Sequence, residues 1–358
     1  MKTLLRLVSI SLLILLLMSV SAAVIPPSKS LAIALSGLGF PVFWIINSVV
    51  LTFLLIFKIR WLRLIVFLIL LATTPLMLRY YSLRLNGDKS NLTYSIFDFN
   101  AFGLRKPVEK SDLSDNQDII NEFINDSKFT LACFQEYPMK GSKHAKFYEK
   151  LHNGLNLNYK CLSEYSADEK STQRILVTAS AFPIVKSNLI YCNSKSFAMV
   201  TDIQFPEGIV RVFNIHLQSV KFTKERKLLI INKNYHLKAI IEQFSGTIMK
   251  LKTAFNLREK ESRILSDSIK ASPFPVIVAG DFNDTPASNA YHTISSGLKD
   301  ASSGTANGLK RTYKFSTMPL NIDYILHDKD ISSSGYKQIS LVVSDHYAIS
   351  TKFSLDTK

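Results

Sequence analysis

The chain of 358 residues carries 43 Lys and Arg against 28 Asp and Glu, a formal net charge of +15, and its three cysteines are scattered. Such cysteine usage excludes a disulfide framework and a cysteine-rich metal site. The first 87 residues hold eight basic and no acidic residues, which leaves 35 basic against 28 acidic in the remainder, so charge alone is weak evidence for a polyanionic partner.

The first predicted elements are three uncharged stretches bounded by Lys or Arg. Leu7–Ser28 and Ser30–Phe57 are long enough to cross a bilayer, for which about 20 apolar residues are needed. Leu64–Leu78 is short, and it spans if Trp61 and Tyr80 lie at the two interfaces. Residues 1–85 are therefore predicted to be a membrane segment with about three transmembrane helices, at approximately 7–27, 31–57 and 62–79.

Basic residues predict the orientation of this segment. Lys2 and Arg6 precede the first stretch, and "KIRWLR" at 58–63 separates the second from the third, so both sites are expected in the cytoplasm. Three crossings then place the domain after residue 85 outside the cytoplasm. A cleaved signal peptide in place of the first helix leaves this topology unchanged, whereas a third stretch that does not span would put the domain in the cytoplasm.

From residue 86 to 358 the chain alternates short β-branched runs with helical stretches and turn clusters, as in an α/β sandwich. The stretch "DNQDIINEFIND" (115–126) predicts an amphipathic helix, and Lys221–Ile269 predicts one or two long helices. The predicted strands are "LTYSIFDFN", "FTLACFQE", "RILVTASAFPIV", "AMVTDIQF", "IVRVFNIHL", "PVIVAGDFN", "IDYILH" and "QISLVVSDHYAIS".

Polar side chains recur at or beside the ends of six of these runs. Turn chemistry favours Gly, Asn, Asp and Ser there, but it does not account for a Glu and two His. The residues are Asn100, Glu136, His216, Asp281, Asn283, Asp323, Asp345 and His346. By contrast, Asp284 is interpreted as a turn residue, because Thr285 and Pro286 follow it.

Such a set suits metal-assisted attack on a phosphate ester. Carboxylates with an amide and no sulfur ligand favour a hard cation, Mg²⁺ or Mn²⁺. A further carboxylate can activate a water, and His and Asn donors can stabilise the charge that develops on the phosphate oxygens.

The ordered motifs "FQE", "NIHLQS", "GDFNDTP", "IDYIL" and "SDHYAI" resemble the endonuclease/exonuclease/phosphatase superfamily, over roughly residues 91–353. With three preceding membrane segments, the chain is similar to bacterial membrane-anchored members. The resemblance implies a four-layer α/β sandwich, two central mixed β-sheets flanked by helices, with the site at one edge. Together with the orientation given by the basic residues, the chain is predicted to be an integral protein of the bacterial inner membrane with an extracytoplasmic catalytic domain.

The resemblance implies a role for each of the eight residues. The metal residues would be Glu136, Asp345 and Asn100, although "IFDFNAF" around Asn100 departs from the family's usual wording. The catalytic residues would be Asp281, which orients the attacking water; His216, Asn283 and His346, which contact the phosphate; and Asp323, which orients His346.

The sequence thus predicts a membrane-anchored Mg²⁺- or Mn²⁺-dependent phosphoesterase, with a nuclease as the first choice. A phospholipid or sphingomyelin phosphodiesterase, an inositol-phosphate phosphatase and an inactive binding module stay open as alternatives, since one fold serves many functions. The predicted partners are a phosphodiester substrate, either nucleic acid or a phospholipid headgroup, and the lipid bilayer; no protein partner is predicted.

Overall fold

The computed structural model describes residues 2–83, 92–104, 113–140, 144–163, 172–220, 237–316 and 320–355. The predicted boundary between residues 85 and 86 and the first part of the predicted Lys221–Ile269 helical region lie outside these ranges.

Four helices begin the chain: α1 (Lys2–Ser21), α2 (Leu31–Leu38), α3 (Phe40–Ile56) and α4 (Arg60–Met77). By length and composition α1 and α4 could each cross a membrane, and α2 with α3 could form a third span that bends by 71°. The bend lies just before Pro41, which is in the first turn of α3. Proline cannot continue a preceding helix, because it has no N–H and its ring clashes with the carbonyl four residues earlier, but it fits the first turn of a new helix.

Apolar side chains pack α1, α3 and α4 together, among them Leu16, Leu54 and Val66. Tyr80, which follows α4, is 1% exposed and belongs to the same cluster. The expectation that Tyr80 lies at a membrane interface stays a prediction; within the protein its ring packs at 5.7 Å from the ring of Phe40.

The rest of the described chain forms two six-stranded sheets and a small two-stranded sheet. The strands are β1 (Tyr81–Ser82), β2 (Tyr94–Asn100), β3 (Leu131–Lys140), β4 (Tyr159–Leu162), β5 (Thr172–Ser180), β6 (Ile184–Cys192), β7 (Lys195–Phe205), β8 (Gly208–His216), β9 (Val276–Asp281), β10 (Lys299–Asp300), β11 (Gly308–Leu309), β12 (Asp323–His327), β13 (Ile331–Ile339) and β14 (Ala348–Leu355).

Both large sheets are mixed. Their orders are β10-β12-β9-β8-β7-β6 and β13-β14-β2-β3-β5-β4, while β1 pairs with β11. Each large sheet has one parallel pair, β8 with β9 and β2 with β3, and its other pairs are antiparallel.

Helices cover the outer faces of the two sheets. They are α5 (Leu113–Ser127), α6 (His144–Gly154), α7 (Leu237–Lys270) and α8 (Asn289–Ser295). One apolar cluster joins α5 and α6 to the second sheet, one lies between the sheets, and one joins α7 and α8 to the first sheet. The predicted four-layer sandwich and the helix at 115–126 are confirmed.

One predicted strand is wrong. In the run "ISLVVS", Ile339 ends β13 and residues 340–344 form a loop, so Asp345 and His346 lie in the connection between β13 and β14 instead of following a strand. Leu341 and Val343 in this loop are buried against the α5 and α6 layer, which accounts for an apolar run outside the sheet.

Candidate active site

The parallel pair β8 and β9 brings two of the predicted residues to one edge of the first sheet. His216 ends β8 and lies in register with Asp281, which ends β9. Carboxyl ends of parallel neighbours reach the same edge, and here His216 Nε2 lies 3.8 Å from Asp281 Oδ2.

Gly280 allows this close approach. Its φ is +145°, and a Cβ at this position would lie 2.1 Å from the carbonyl oxygen of Ile215 on β8. A residue with a side chain would push the two strands apart, so glycine is required directly before Asp281.

Both oxygens of the Asp281 carboxylate are fixed by neighbours. Asn100 Nδ2 donates to Oδ2 at 2.8 Å, and the backbone N–H of Asn283 donates to Oδ1 at 2.7 Å. Burial first, and then the nearby Asp323 carboxylate, raise the pKa of Asp281 to about 7 against the opposing effect of His346. The carboxylate is therefore suited to accept a proton near neutral pH.

His346 forms a buried pair with Asp323. Its Nδ1 lies 2.9 Å from Asp323 Oδ2, and its Nε2 lies 3.9 Å from Asp281 Oδ2. Asp323 lies near Asp281 because β12 pairs with β9 in antiparallel register, and the two residues are opposite each other in that register. Burial by itself lowers the pKa of His346, but Asp323 outweighs burial and raises it to about 10, so the ring is a cation at neutral pH.

His216 has the opposite charge state. Burial lowers its pKa to about 3, and the charges of Lys195, His346 and Arg174 act in the same direction. Among the described residues its buried Nε2 has no hydrogen-bond partner. The site therefore combines one neutral and one cationic imidazole.

A β-bulge directs Glu136 toward the same edge. The register of β3 against β5 shifts between Phe134 and Tyr137, and Glu136 has φ +50°. A positive φ is rare for a non-glycine residue and often marks a functional position. The carboxylate forms an ion pair with Arg174 of β5 and lies 3.5 Å from His216 Nε2.

Asn283 is the one predicted phosphate contact whose side chain turns away from this group. It has φ +52°, which asparagine tolerates, and its Nδ2 donates to the carbonyl of Leu217 at 2.9 Å. Its backbone N–H holds Asp281, so in this structure it orders the loop after β9.

The predicted metal residues offer oxygen donors that fit a hard divalent cation. Asp345 Oδ1 is buried and, within the described part of the chain, has no hydrogen-bond partner. Glu136 offers a second carboxylate, and Asn100 is linked to the Asp345 loop because Ser344 Oγ donates to its carbonyl oxygen at 2.7 Å. Such a set of carboxylate and amide oxygens is the one that Mg²⁺ and Mn²⁺ prefer.

A tighter group of Asp281, Asp323 and His346 also brings its possible ligand atoms within 4.8 Å of one another. The Asp323–His346 hydrogen bond occupies Nδ1, so only Nε2 could face a metal, and with the pKa of His346 raised to about 10 this nitrogen carries a proton at neutral pH. The group is therefore described as an aspartate–histidine pair.

Several residues near the site were not predicted from sequence. Arg174 contacts Glu136 and lies over the Phe102 ring at 5.1 Å, and Tyr313 packs edge-on against His346 with ring centroids 5.4 Å apart. Buried Gln135 donates to Asp98 at 2.8 Å and to Asn214 at 2.9 Å, which joins the two sheets behind the site. Its position beside Glu136 in "FQE" was the available signal. The stretch "RTYKF" around Tyr313 suggested a loop near the site without a role for the tyrosine, and Arg174 had no signal.

Comparison with known proteins agrees with this geometry. Residues 99–346 match the model of the endonuclease/exonuclease/phosphatase family, which covers more than half of the chain. The chain belongs to this family. Family members are hydrolases of phosphoester bonds, and the chain is assigned as one. Residues 2–80 match a separate domain of unknown function, and no curated protein matches.

Solved structures share the fold at low sequence identity. A protein of unknown function from Enterococcus faecalis V583 has 13% sequence identity and a TM-score of 0.51. The match covers 73% of this chain and 99% of the Enterococcus chain. An endonuclease/exonuclease/phosphatase from Beutenbergia cavernae has 13% identity and a TM-score of 0.51, covering 73% of this chain and 71% of its own.

Proposed function

We propose that this family member is a membrane-anchored, divalent-metal-dependent phosphodiesterase. One observation carries the proposal: the buried Asp281 carboxylate is held on both oxygens, and the cationic His346 ring has its Nε2 3.9 Å away. A base so placed can take the proton of a water that attacks phosphorus, and the cation can stabilise the negative charge that develops on the phosphate oxygens.

In this proposal Asp281 takes the proton of the attacking water while Asn100 and the Asn283 backbone hold its carboxylate in position. His346 donates from Nε2 to a phosphate oxygen, and Asp323 keeps the proton on Nδ1. The neutral His216 offers a further hydrogen bond to the phosphate.

Glu136 and Asp345 would hold the cation, with Asn100 in support. When bound there, a divalent ion neutralises charge on the phosphate and lowers the pKa of a coordinated water. The ion pair between Glu136 and Arg174 places a guanidinium beside the same position, where it could bind a phosphate oxygen.

A nucleic acid is the preferred substrate, because Arg174 and Lys195 add positive charge beside His216 in a domain that is net basic. A second candidate, a phospholipid headgroup, is favoured by a different observation. The start of α8, just after the loop that follows β9, contacts the chain just after the first N-terminal helix, where Asn289 donates to the Ala23 carbonyl at 3.2 Å.

The test uses the full chain in lipid nanodiscs with Mg²⁺, Mn²⁺ or EDTA. Plasmid DNA, RNA, sphingomyelin, phosphatidylinositol phosphates and bis(4-nitrophenyl) phosphate are the substrates. We expect metal-dependent turnover that falls at least about 100-fold in His346→Ala. His292→Ala, which removes an exposed histidine, is the matched control and should retain activity.

A rate of DNA or RNA cleavage that falls steeply as the salt concentration rises would support a nucleic-acid substrate. Turnover of lipid alone would favour the second candidate. Turnover that EDTA leaves intact, or that His346→Ala leaves intact, would contradict the proposal.

A further inference from the structure

The loop that follows β9 connects the candidate site to the N-terminal helices. Asp281 and Asn283 begin this loop, and Ala287, six residues after Asp281, lies fully buried in the apolar cluster of those helices. The backbone N–H of Ala287 donates to the hydroxyl oxygen of Tyr80 at 3.1 Å. Only a few residues therefore separate the proposed base from a side chain that belongs to the helical segment.

Tyr80 is itself held from two sides. Its ring packs against Phe40 of α3, and its backbone carbonyl accepts from the backbone N–H of Lys310 at 2.8 Å. A fully buried ring with these contacts has a single position, so its hydroxyl is a fixed acceptor for Ala287.

The end of α2 approaches the same loop. A Cβ on Gly37 would lie 3.4 Å from the carbonyl oxygen of Ala287 and 2.7 Å from the Cβ of Ala22. Gly37 therefore lets the connection after α1, the helix α2 and the catalytic loop meet without a side chain between them.

A second set of contacts fixes the loop through α7. Glu259 of α7 accepts from both the backbone N–H and the hydroxyl of Ser28, each at 2.9 Å. The preceding residue, Arg258, donates to the loop residue Asp284 at 2.9 Å. The helical segment thus supports the loop both at Ala287 and, through α7, at Asp284.

We propose that Tyr80 is a positioning residue for phosphoester hydrolysis, and that the N-terminal helices are a structural part of the active site as well as an anchor. Through Ala287, the Tyr80 hydroxyl fixes the loop from which Asn283 orients the Asp281 carboxylate. The inference rests on the proposed function, since it concerns the rate of that reaction. It also implies that a domain beginning after Tyr80 lacks one support of its catalytic loop.

The experiment compares Tyr80→Phe with Tyr81→Phe in the full chain. Phenylalanine keeps the ring of Tyr80 and removes only the oxygen that accepts from Ala287, so folding should survive. Tyr81 is the neighbouring residue, is 42% exposed, and loses the same atom. With bis(4-nitrophenyl) phosphate as the probe, we expect kcat of Tyr80→Phe, measured per folded enzyme, to fall about tenfold with KM unchanged, and Tyr81→Phe to match the wild type. The Tm of Tyr80→Phe should fall modestly, because the N–H of Ala287 is left buried without an acceptor.

A second pair of variants approaches the loop from α2. Gly37→Ala places a methyl group against Ala22 and toward the Ala287 carbonyl, whereas Gly246→Ala adds one to a helical glycine of α7 with nothing within 4 Å. We expect kcat to fall only in Gly37→Ala. Hydrogen exchange should show the amide of Ala287 exchanging faster in Tyr80→Phe than in the wild type.

Three outcomes would overturn the inference. An unchanged kcat in Tyr80→Phe would show that the loop needs no hydroxyl. A fall in kcat that only matches a loss of folded protein would show a role in stability alone. A wild type without turnover of any phosphoester would refute the proposed function itself. Equal kcat values for the wild type, Tyr81→Phe and Tyr80→Phe would refute only the inference.

Discussion

At the scale of single residues, replacement of Gly280 is expected to destabilise the site by a direct steric clash. Gly280→Ala introduces a Cβ 2.1 Å from the Ile215 carbonyl oxygen, so β8 and β9 must separate at the site. Gly208→Ala is the matched control, because Gly208 has a similar φ of +147° with nothing within 4 Å. Both variants carry backbone strain of about 1–2 kcal/mol, and only Gly280→Ala adds a packing cost of about 1–3 kcal/mol.

Denaturant titration of the two variants measures this difference in the free energy of unfolding. Activity should be lost only in Gly280→Ala, since Asp281 moves with the strand. Equal destabilisation of the two variants would contradict the steric argument.

Asp323 controls the charge of His346, and Asp323→Asn tests this control. Activity that needs an Asp281 carboxylate and a His346 cation should rise near pH 7 and fall near pH 10, where the two pKa values lie. Without the Asp323 charge, burial lowers the pKa of His346 with less opposition, so the alkaline fall should move to lower pH. The pH dependence of kcat/KM measures this shift.

Asp118→Asn, at an exposed carboxylate paired with Lys150, is the control and should keep the wild-type profile. An alkaline limb that stays in place in Asp323→Asn would mean that another group carries it.

At the scale of elements, the loop after β9 depends on a buried ion pair with α7. Arg258 is 2% exposed and Asp284 5%, and Arg258 also donates to the Gln218 carbonyl. Arg258→Met leaves the Asp284 carboxylate buried without a cation, which should cost about 3–5 kcal/mol. Adding Asp284→Asn removes the uncompensated charge, so the double variant should be more stable than the single one.

Thermal unfolding in detergent ranks the wild type, Arg258→Met and the double variant. A double variant that unfolds below Arg258→Met would contradict the argument that an uncompensated buried charge causes the loss of stability.

The elements also show what the sequence could and could not predict. Runs such as "PVIVAG" and "IDYIL" are buried on both faces, so their continuous apolar pattern identified β9 and β12. The edge strand β13, "ISSSGYKQI", is polar and rich in serine, so no apolar pattern marked it. The loop 340–345 has the apolar pattern of a strand because it packs on the α5 and α6 layer instead.

For the candidate site too, the sequence predicted some residues and missed others. The five motifs identified residues that the structure brings to one edge, because strand ends carry them there. Contacts between distant positions, such as Arg174 with Glu136 or Tyr80 with Ala287, depend on how layers pack and leave no pattern in the sequence. Asp284, interpreted as a turn residue, proves to be an ion-pair partner of α7 as well.

At the scale of the whole molecule, the contacts with the catalytic domain lie at one end of the helical segment. Ala23, Ser28 and Tyr80 carry them, whereas Lys2 and Lys58 lie at the opposite ends of α1 and α3. This arrangement agrees with the proposed topology, in which the domain is extracytoplasmic and the basic ends are cytoplasmic.

Cysteine labelling in intact cells tests that topology. On a Cys161→Ser background, exposed Lys337→Cys in the domain should react with a maleimide that does not cross membranes. Exposed Lys58→Cys, between α3 and α4, should react only after lysis. The reverse pattern would place the domain in the cytoplasm.

The hydrogen bonds at Tyr80, Ser28 and Ala23 have a consequence for how the enzyme meets its substrate. Because they join the domain to the helices by direct contact, the proposed membrane anchoring would hold the catalytic edge at a constant height and tilt relative to the bilayer. A substrate in the same leaflet would then reach it by lateral diffusion in two dimensions, and its surface density would set the rate. A dissolved polymer would have to arrive from the aqueous side, so its bulk concentration would govern turnover.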